Sequence, residues 1–277
     1  MTTPGPSGPR LDLDRVEGVN RYETRHLHED IFVRRCYLRG AVVLPAAATV
    51  FDVGANIGMF SLFVLSESPG ATVHAFEPIG FLAEKLRRNA SLLGGDVRVH
   101  HCGLSDAERQ AWFAFYPGYS VMSTLREYAD AAADKAVVSR FLTDGRSDEK
   151  VLRRVDSLLS HRFQDRQEQV RLRRLSQVID EEGVERIDLL KIDVQRAELD
   201  VLAGLEARHW PLVQQVAMEI HDAPGTSTQG RLAWTVALLA AQGFDVQVFQ
   251  DDHLAGTDRH ALFAVRPATC AARRTTG

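Results

Sequence analysis

The sequence predicts an α/β fold: a mostly parallel, seven-stranded sheet with helices on both faces and one helical lid insertion. Three observations predict it. Short β-branched runs alternate with longer segments of helical periodicity. A glycine-containing turn joins the first strand to the next helix, and the last two strands follow one another with no helix between them. Such alternation buries strands on both faces and joins them by crossover helices, which makes the sheet parallel. The closing pair makes one strand antiparallel.

The first strand is the run Thr49–Val53, with a helix from Ile57 to Ser66 after it. Thr72–Glu77 is the second strand, and Phe81–Leu93 the second helix, with Leu82, Leu86 and Leu93 at helical spacing. Val97–Cys102 forms the third strand. Ile187–Asp193 forms the fourth and leads into a helix through Glu198, Leu199, Leu202 and Leu205. Leu212–Ile220 is the fifth, Leu232–Gln242 a further helix, and Phe244–Phe249 and Ala261–Val265 complete the sheet. One region departs from the rhythm. From about residue 116 to 170 the strand signal is weak, and two amphipathic stretches, Tyr128–Leu142 and Glu149–Arg162, flank a loop at Thr143–Ser147. An insertion this long in an α/β domain commonly forms a lid or binding element. Its arginines, Arg153, Arg154, Arg162, Arg166, Arg171, Arg173 and Arg174, read as a solvated face.

The chain reads as a single domain over residues 20–267. Residues 1–19 hold too few large apolar groups to fold and are expected to be disordered, and residues 268–277 form a flexible tail. A formal charge of -4 lacks the basic excess of a nucleic-acid binder. No apolar run reaches the length of a membrane span, and the start lacks the apolar stretch of a secretory signal. Three widely spaced cysteines, Cys36, Cys102 and Cys270, fit a reducing compartment with no disulfide framework. The expectation is a cytoplasmic protein with no nucleic-acid or membrane partner, and a homodimer is compatible with it.

Ligands of open α/β sheets bind at the carboxyl ends of the strands, where strand order reverses. The first strand ends in Asp52-Val-Gly-Ala-Asn-Ile-Gly58. Gly54 and Gly58 let the backbone turn tightly and approach a ligand, and Asp52 can accept from an ammonium or hydroxyl group. A dinucleotide site requires G-x-G-x-x-G, whose middle glycine makes room for pyrophosphate. Here Asn56 stands at that place. The pattern therefore favours a nucleoside cofactor without phosphate, of which S-adenosylmethionine is the common one. A P-loop is excluded because no Lys-Ser/Thr follows the glycines. Glu77-Pro78 ends the second strand at the distance that places an acid on ribose hydroxyls. Leu104, Ser105 and Asp106 follow the third strand, in a loop placed to flank an adenine.

Phe51–Gly58, Phe76-Glu-Pro78, Leu104-Ser-Asp106 and Asp188–Asp193 with Ala197-Glu198 together resemble the FkbM family of methyltransferases. The likeness runs from roughly His26 to Pro267. It is strongest toward the branch associated with polyketide and nonribosomal-peptide pathways, through Tyr119–Ser123, Glu219–Asp222 and Gly256-Thr257. The resemblance implies a Rossmann-like class I methyltransferase fold with S-adenosylmethionine as cofactor. It also implies methyl transfer to a hydroxyl of a polyketide- or peptide-type natural product, free or tethered to a carrier protein. One departure stands out. Many members read D-V-E-G-x-E after the fourth strand, whereas this chain has Asp193-Val-Gln-Arg-Ala-Glu198, so the turn is expected to differ in shape.

Methyl transfer from a sulfonium is an in-line displacement that requires the acceptor oxygen to be held against the methyl group. An alcohol also needs a base or a metal to take its proton. The candidates are His221, Asp193 and Glu219. His221 is the first choice for general base because its ordinary pKa lies near operating pH. Asp193 reads as orienting the cofactor's amino group or the acceptor hydroxyl. Asp193, Glu219 and Asp222 offer hard oxygen ligands for Mg²⁺, the less favoured reading, since their spacing matches no fixed ligand pattern. Lys191 falls within its strand, and Asn56 contacts the cofactor or stabilises its own turn. The segment Arg21–Leu38 is expected to fold over the cofactor, with Tyr37, Tyr119 and Met122 walling an apolar acceptor pocket. Two alternatives remain beside this reading. A nicotinamide-dependent oxidoreductase is opposed by Asn56 and by the lack of a Tyr-x-x-x-Lys pair, and a non-catalytic nucleoside-binding module by the acids at the strand ends.

Overall fold

The computed structural model describes residues 11–143, 149–250 and 254–267. Its strands, in chain order, are β1 (Thr49–Val53), β2 (Thr72–Phe76), β3 (Asp96–His100), β4 (Gly103–Leu104), β5 (Arg109–Phe115), β6 (Thr124–Leu125), β7 (Arg166–Arg173), β8 (Leu189–Ile192), β9 (Gln215–His221), β10 (Asp245–Phe249) and β11 (Arg259–Val265). The helices are α1 (Arg21–His28), α2 (Met59–Glu67), α3 (Gly80–Ala90), α4 (Ala131–Thr143), α5 (Glu149–Arg162), α6 (Leu175–Glu182), α7 (Glu198–Ala203) and α8 (Arg231–Ala241).

The main sheet has seven strands in the order β10-β11-β9-β8-β1-β2-β3, parallel except for β11, which runs against both its neighbours. Val50 of β1 packs into the core shared with α2 and α3, whereas Phe51 and Val53 face the core of α6, α7 and α8. Burial on both faces explains why these strands read as continuous apolar runs. The strand order reverses between β1 and β8, so the carboxyl ends of these two strands open the crevice in which such sheets bind ligands.

A second sheet, β4-β7-β5-β6, lies between β3 and β8 in sequence and is absent from the sequence-based expectation. In β7 only Val170 and Leu172 are buried, among exposed Arg166, Gln167, Gln169 and Arg171. Its charge hid its alternation. The β5–β7 ladder ends at Phe115 opposite Arg166, so the insertion leaves and re-enters the fold at one point. Within it α4 and α5 match the two predicted helical stretches. They enclose a small core of Tyr116, Tyr119, Met122, Val138, Leu159 and Phe163.

Residues 11–19 depart from their expected disorder. Val16 is buried and Leu11, Leu13 and Val19 pack on the core, while Asp12 caps the short turn Leu13–Arg15. A few apolar anchors suffice there because the segment leans on a finished core. The expected tail at 268–277 lies outside the described residues, as does most of the loop at Thr143–Ser147.

Candidate active site

The glycine turn after β1 is closed by its own backbone. Gly54 and Ala55 both donate to Phe76 O at 3.1 and 2.9 Å, and Gly58 donates to Ala55 O at 2.8 Å. Asn56 N–H donates to Glu77 Oε2 at 2.9 Å, and Ile57 N–H to Asn56 Oδ1 at 2.7 Å. Every N–H from 54 to 58 is therefore spent inside the fold, leaving none to receive a phosphate. Gly54 has φ +77°, and a Cβ there would lie 1.9 Å from Asp193 O, so side chains are excluded by both backbone and space. This contact joins the ends of β1 and β8.

A first cavity opens over this turn, bordered by Gly54, Asn56, Glu77, Pro78 and Leu104. Met59, Ile79, Leu82 and Phe113 give it an apolar wall. Burial pushes the Glu77 carboxyl up to about 7, although two backbone N–H groups, from Ile79 and Asn56, pull it back. The carboxylates of Glu77 and Asp193, apolar walls and no free loop N–H suit a nucleoside and not a pyrophosphate. Asn56 also donates to Ser120 Oγ at 3.0 Å, and Ser120 is held by the buried carboxylate of Glu23. The lid is thereby pinned to both the glycine turn and α1.

A second cavity lies beside the first. Tyr37, Tyr119 and Met122 all border it, together with Val138, Glu219 and Arg259. Asp193, Tyr37 and Gln195 border both cavities. Asp193 accepts from Tyr37 Oη at 2.6 Å on one oxygen and from Gln195 Nε2 at 3.2 Å on the other. Burial raises the Tyr37 phenol well above its ordinary range, and the Asp193 charge adds to this, so Tyr37 stays a donor. Glu219 is also raised by burial, against the pull of Arg259, whose Nη1 lies 2.6 Å from Glu219 Oε1.

Four sequence-based assignments change. His221 is fully buried and borders neither cavity; its Nδ1 meets Glu198 Oε1 at 2.9 Å, and its Nε2 stops 3.6 Å from Glu219. It cannot meet an acceptor as a base and instead backs Glu219. Asp222 caps α8, its two oxygens accepting from Gly230 and Leu232 N–H, so it does not join Asp193 and Glu219 in a cation site. No group of three metal-binding side chains forms among the described residues. Asp52 also stays out of the first cavity: it accepts from Ser61 at 2.8 Å and pairs with Lys191 at 3.0 Å, directly across the β1–β8 register. Ser105 and Asp106 bond to each other and leave the cavity wall to Gly103 and Leu104.

Sequence reasoning missed Lys191, Gln195 and Arg259 as site residues. Lys191 sits at the cavity floor, donating to Gly54 O at 2.8 Å. Burial works to lower its pKa, but Asp52 and Asp193 outweigh this and the net direction is up. The 195–196 turn does not lose its glycine-like shape. Gln195 and Arg196 adopt φ +50° and +74°, held by Thr124 on Gln195 O and by Glu198 on Arg196 N–H. Arg196 then reaches Asp134 of the lid at 2.7 Å.

This geometry agrees with the comparison to known proteins, in which the Methyltransferase FkbM domain model matches residues 52–246. The chain belongs to the FkbM methyltransferase family. It is 43% identical over 256 residues to the 31-O-demethyl-FK506 methyltransferase FkbM of Streptomyces tacrolimicus, covering 91% of this chain and 94% of that one. It is 46% identical to a part of the AMB antimetabolite synthetase AmbE of Pseudomonas aeruginosa, again over 91% of this chain but only 12% of the synthetase. Methyltransferase sdnD of Sordaria araneosa is 34% identical, over 85% of this chain and 88% of its own. As an FkbM-family enzyme the protein is a methyltransferase that uses S-adenosylmethionine, built on the class I α/β fold. No helix among the described residues is long and apolar enough to cross a membrane.

Proposed function

We propose that this FkbM-family enzyme O-methylates a hydroxyl of a polyketide- or peptide-type natural product, free or tethered to a carrier protein. The observation that carries the reading is the shared border: Asp193, Tyr37 and Gln195 face both cavities. Bound S-adenosylmethionine supplies an electrophilic methyl group on a sulfonium. In this reading Glu77 accepts from the ribose hydroxyls, and Ile79, Leu82 and Leu104 cover the adenine. Asp193 stands where the cavities meet, accepts a hydrogen bond from the acceptor hydroxyl and takes its proton as the oxygen attacks. Tyr37 keeps the carboxylate aimed, and positioning of this kind can supply several kcal/mol of a barrier. Tyr119, Met122 and Val138 form an apolar wall for the acceptor, with Glu219 and Arg259 as its polar end. Hydroxyl acceptors are supported by the relative whose name specifies a 31-O-demethyl substrate.

The test uses S-adenosylmethionine carrying a ¹³C methyl group, offered with hydroxylated macrolactones and with carrier-bound hydroxyacyl thioesters. The expected product carries the label as a methoxyl carbon by NMR. Label on nitrogen or carbon would overturn O-methylation.

A further inference from the structure

The Asp193 carboxylate borders two cavities, so its direction depends on the groups that bond it, Tyr37 on one oxygen and Gln195 on the other. The turn that supplies the constraint is strained. Gln195 and Arg196 are consecutive residues in the left-handed region, where a non-glycine residue costs roughly 1–2 kcal/mol. Such outliers persist only where the surroundings over-determine them, and they gather at functional sites. Here the conformation sends the Gln195 side chain between two charged groups. Its Nε2 donates to Asp193 Oδ1 at 3.2 Å while its Oε1 accepts from Arg259 Nη2 at 3.0 Å. An amide of this length does both at once. A carboxylate at 195 would face Asp193 with a like charge, and an apolar side chain would serve neither neighbour.

Arg259 is itself placed by three elements. Its Nη1 meets Glu219 of β9, its Nη2 lies 3.3 Å from the sulfur of Met122 in the lid, and Asp134 of α4 lies 3.7 Å away. It is almost fully buried at the end of the acceptor cavity. The geometry points to Gln195 and Arg259 as positioning residues that together fix the Asp193 carboxylate and tie its orientation to the seating of the lid. A path from the lid to Asp193 runs through side chains: Met122 and Asp134 place Arg259, Arg259 places Gln195, and Gln195 places Asp193. This inference rests on the reading of Asp193 as the carboxylate beside the transferred methyl group.

The test needs no acceptor. S-Adenosylmethionine and S-adenosylhomocysteine differ by one methyl group and one positive charge, so a carboxylate aimed at that place binds the first more favourably than an unaimed one. Calorimetry gives the ratio of their dissociation constants in the wild type and in Asp193→Asn, Gln195→Met, Arg259→Lys and their pairs. Asp193→Asn is expected to shift the ratio about tenfold against S-adenosylmethionine, with Gln195→Met giving most of that shift. S-Adenosylhomocysteine affinity stays within about twofold, which a general loosening of the fold would not produce. Adding Gln195→Met to Asp193→Asn, or Arg259→Lys to Gln195→Met, is expected to change nothing further, because residues acting as one unit are non-additive. An altered ratio in Asp193→Asn with a wild-type ratio in Gln195→Met would overturn the positioning role alone. An unchanged ratio in Asp193→Asn would overturn the placement of Asp193 and this inference with it.

Discussion

Tyr37 and Asp193 stand 156 positions apart in the chain, yet the phenol donates to the carboxylate at 2.6 Å where the two cavities meet. The bond ties the segment before the first strand to the end of β8. Tyr37→Phe removes the donor and keeps the ring against Phe60. A hydrogen bond to a charged group contributes about 1.5–3 kcal/mol. The expected loss is at the lower end, about 1.5 kcal/mol by urea unfolding, because Asp193 keeps Gln195.

Gly54→Ala and Gly94→Ala separate space from backbone. Both glycines have positive φ, but a Cβ at 54 would lie 1.9 Å from Asp193 O, whereas one at 94 would meet nothing within 4 Å. The Gly94 change costs about 1–2 kcal/mol of left-handed strain. The Gly54 change is expected to cost about 3 kcal/mol or more and to abolish binding of S-adenosylhomocysteine. Urea melts and calorimetry on the two variants check this.

Glu77 makes cofactor binding depend on pH. Its folded carboxyl titrates near 7, and ribose hydroxyls donate best to the ionised form. Binding therefore releases a proton, and S-adenosylhomocysteine affinity rises with pH, approaching tenfold per unit below about pH 7. In the free protein the same shift has the opposite sign. A folded pKa above the unfolded 4.5 gives stability that is present below about 4.5 and lost as pH rises through about 7. Glu77→Gln flattens the binding profile in calorimetry at pH 6, 7 and 8.

His74 acts the other way. It is stacked between Phe51 and His100, and burial, with help from the neighbouring His100, holds its pKa down to about 4 from 6.5. Between these values the unfolded chain binds the extra proton, so stability rises with pH across that window. His74→Phe keeps the stack and is expected to reduce this slope in urea melts from pH 4.5 to 7.

Arg196→Gly relieves about 1–2 kcal/mol of left-handed strain. It also strips fully buried Asp134 of its 2.7 Å partner, and losing one side of a buried pair costs about 3–5 kcal/mol. The net expectation is a loss of about 2 kcal/mol. Adding Asp134→Asn should recover most of it, as measured by urea unfolding.

The main sheet was legible because its central strands are apolar on both faces, so Thr49–Val53 and Ile187–Asp193 stand out without context. The second sheet was not: β7 buries two of eight residues and its charges mask the period. At the site, the glycine turn and Glu77 follow from local backbone requirements, which sequence carries directly. His221 and Asp222 failed as candidates because residue type does not reveal direction: one side chain turns inward to Glu198, the other to a helix end. Arg259 was invisible for a related reason, and Gln195 stood out only as a departure from the family motif, because their chemistry comes from one another across 64 positions.

The closed hydrogen bonding of the glycine turn has a consequence for the cofactor's arrival and departure. A loop whose amides are all satisfied internally does not wait for a ligand to take its shape, so ordering entropy is settled at folding and not at binding. The cofactor meets a preformed rim. Exchange of spent cofactor for fresh then requires no rearrangement of the rim itself.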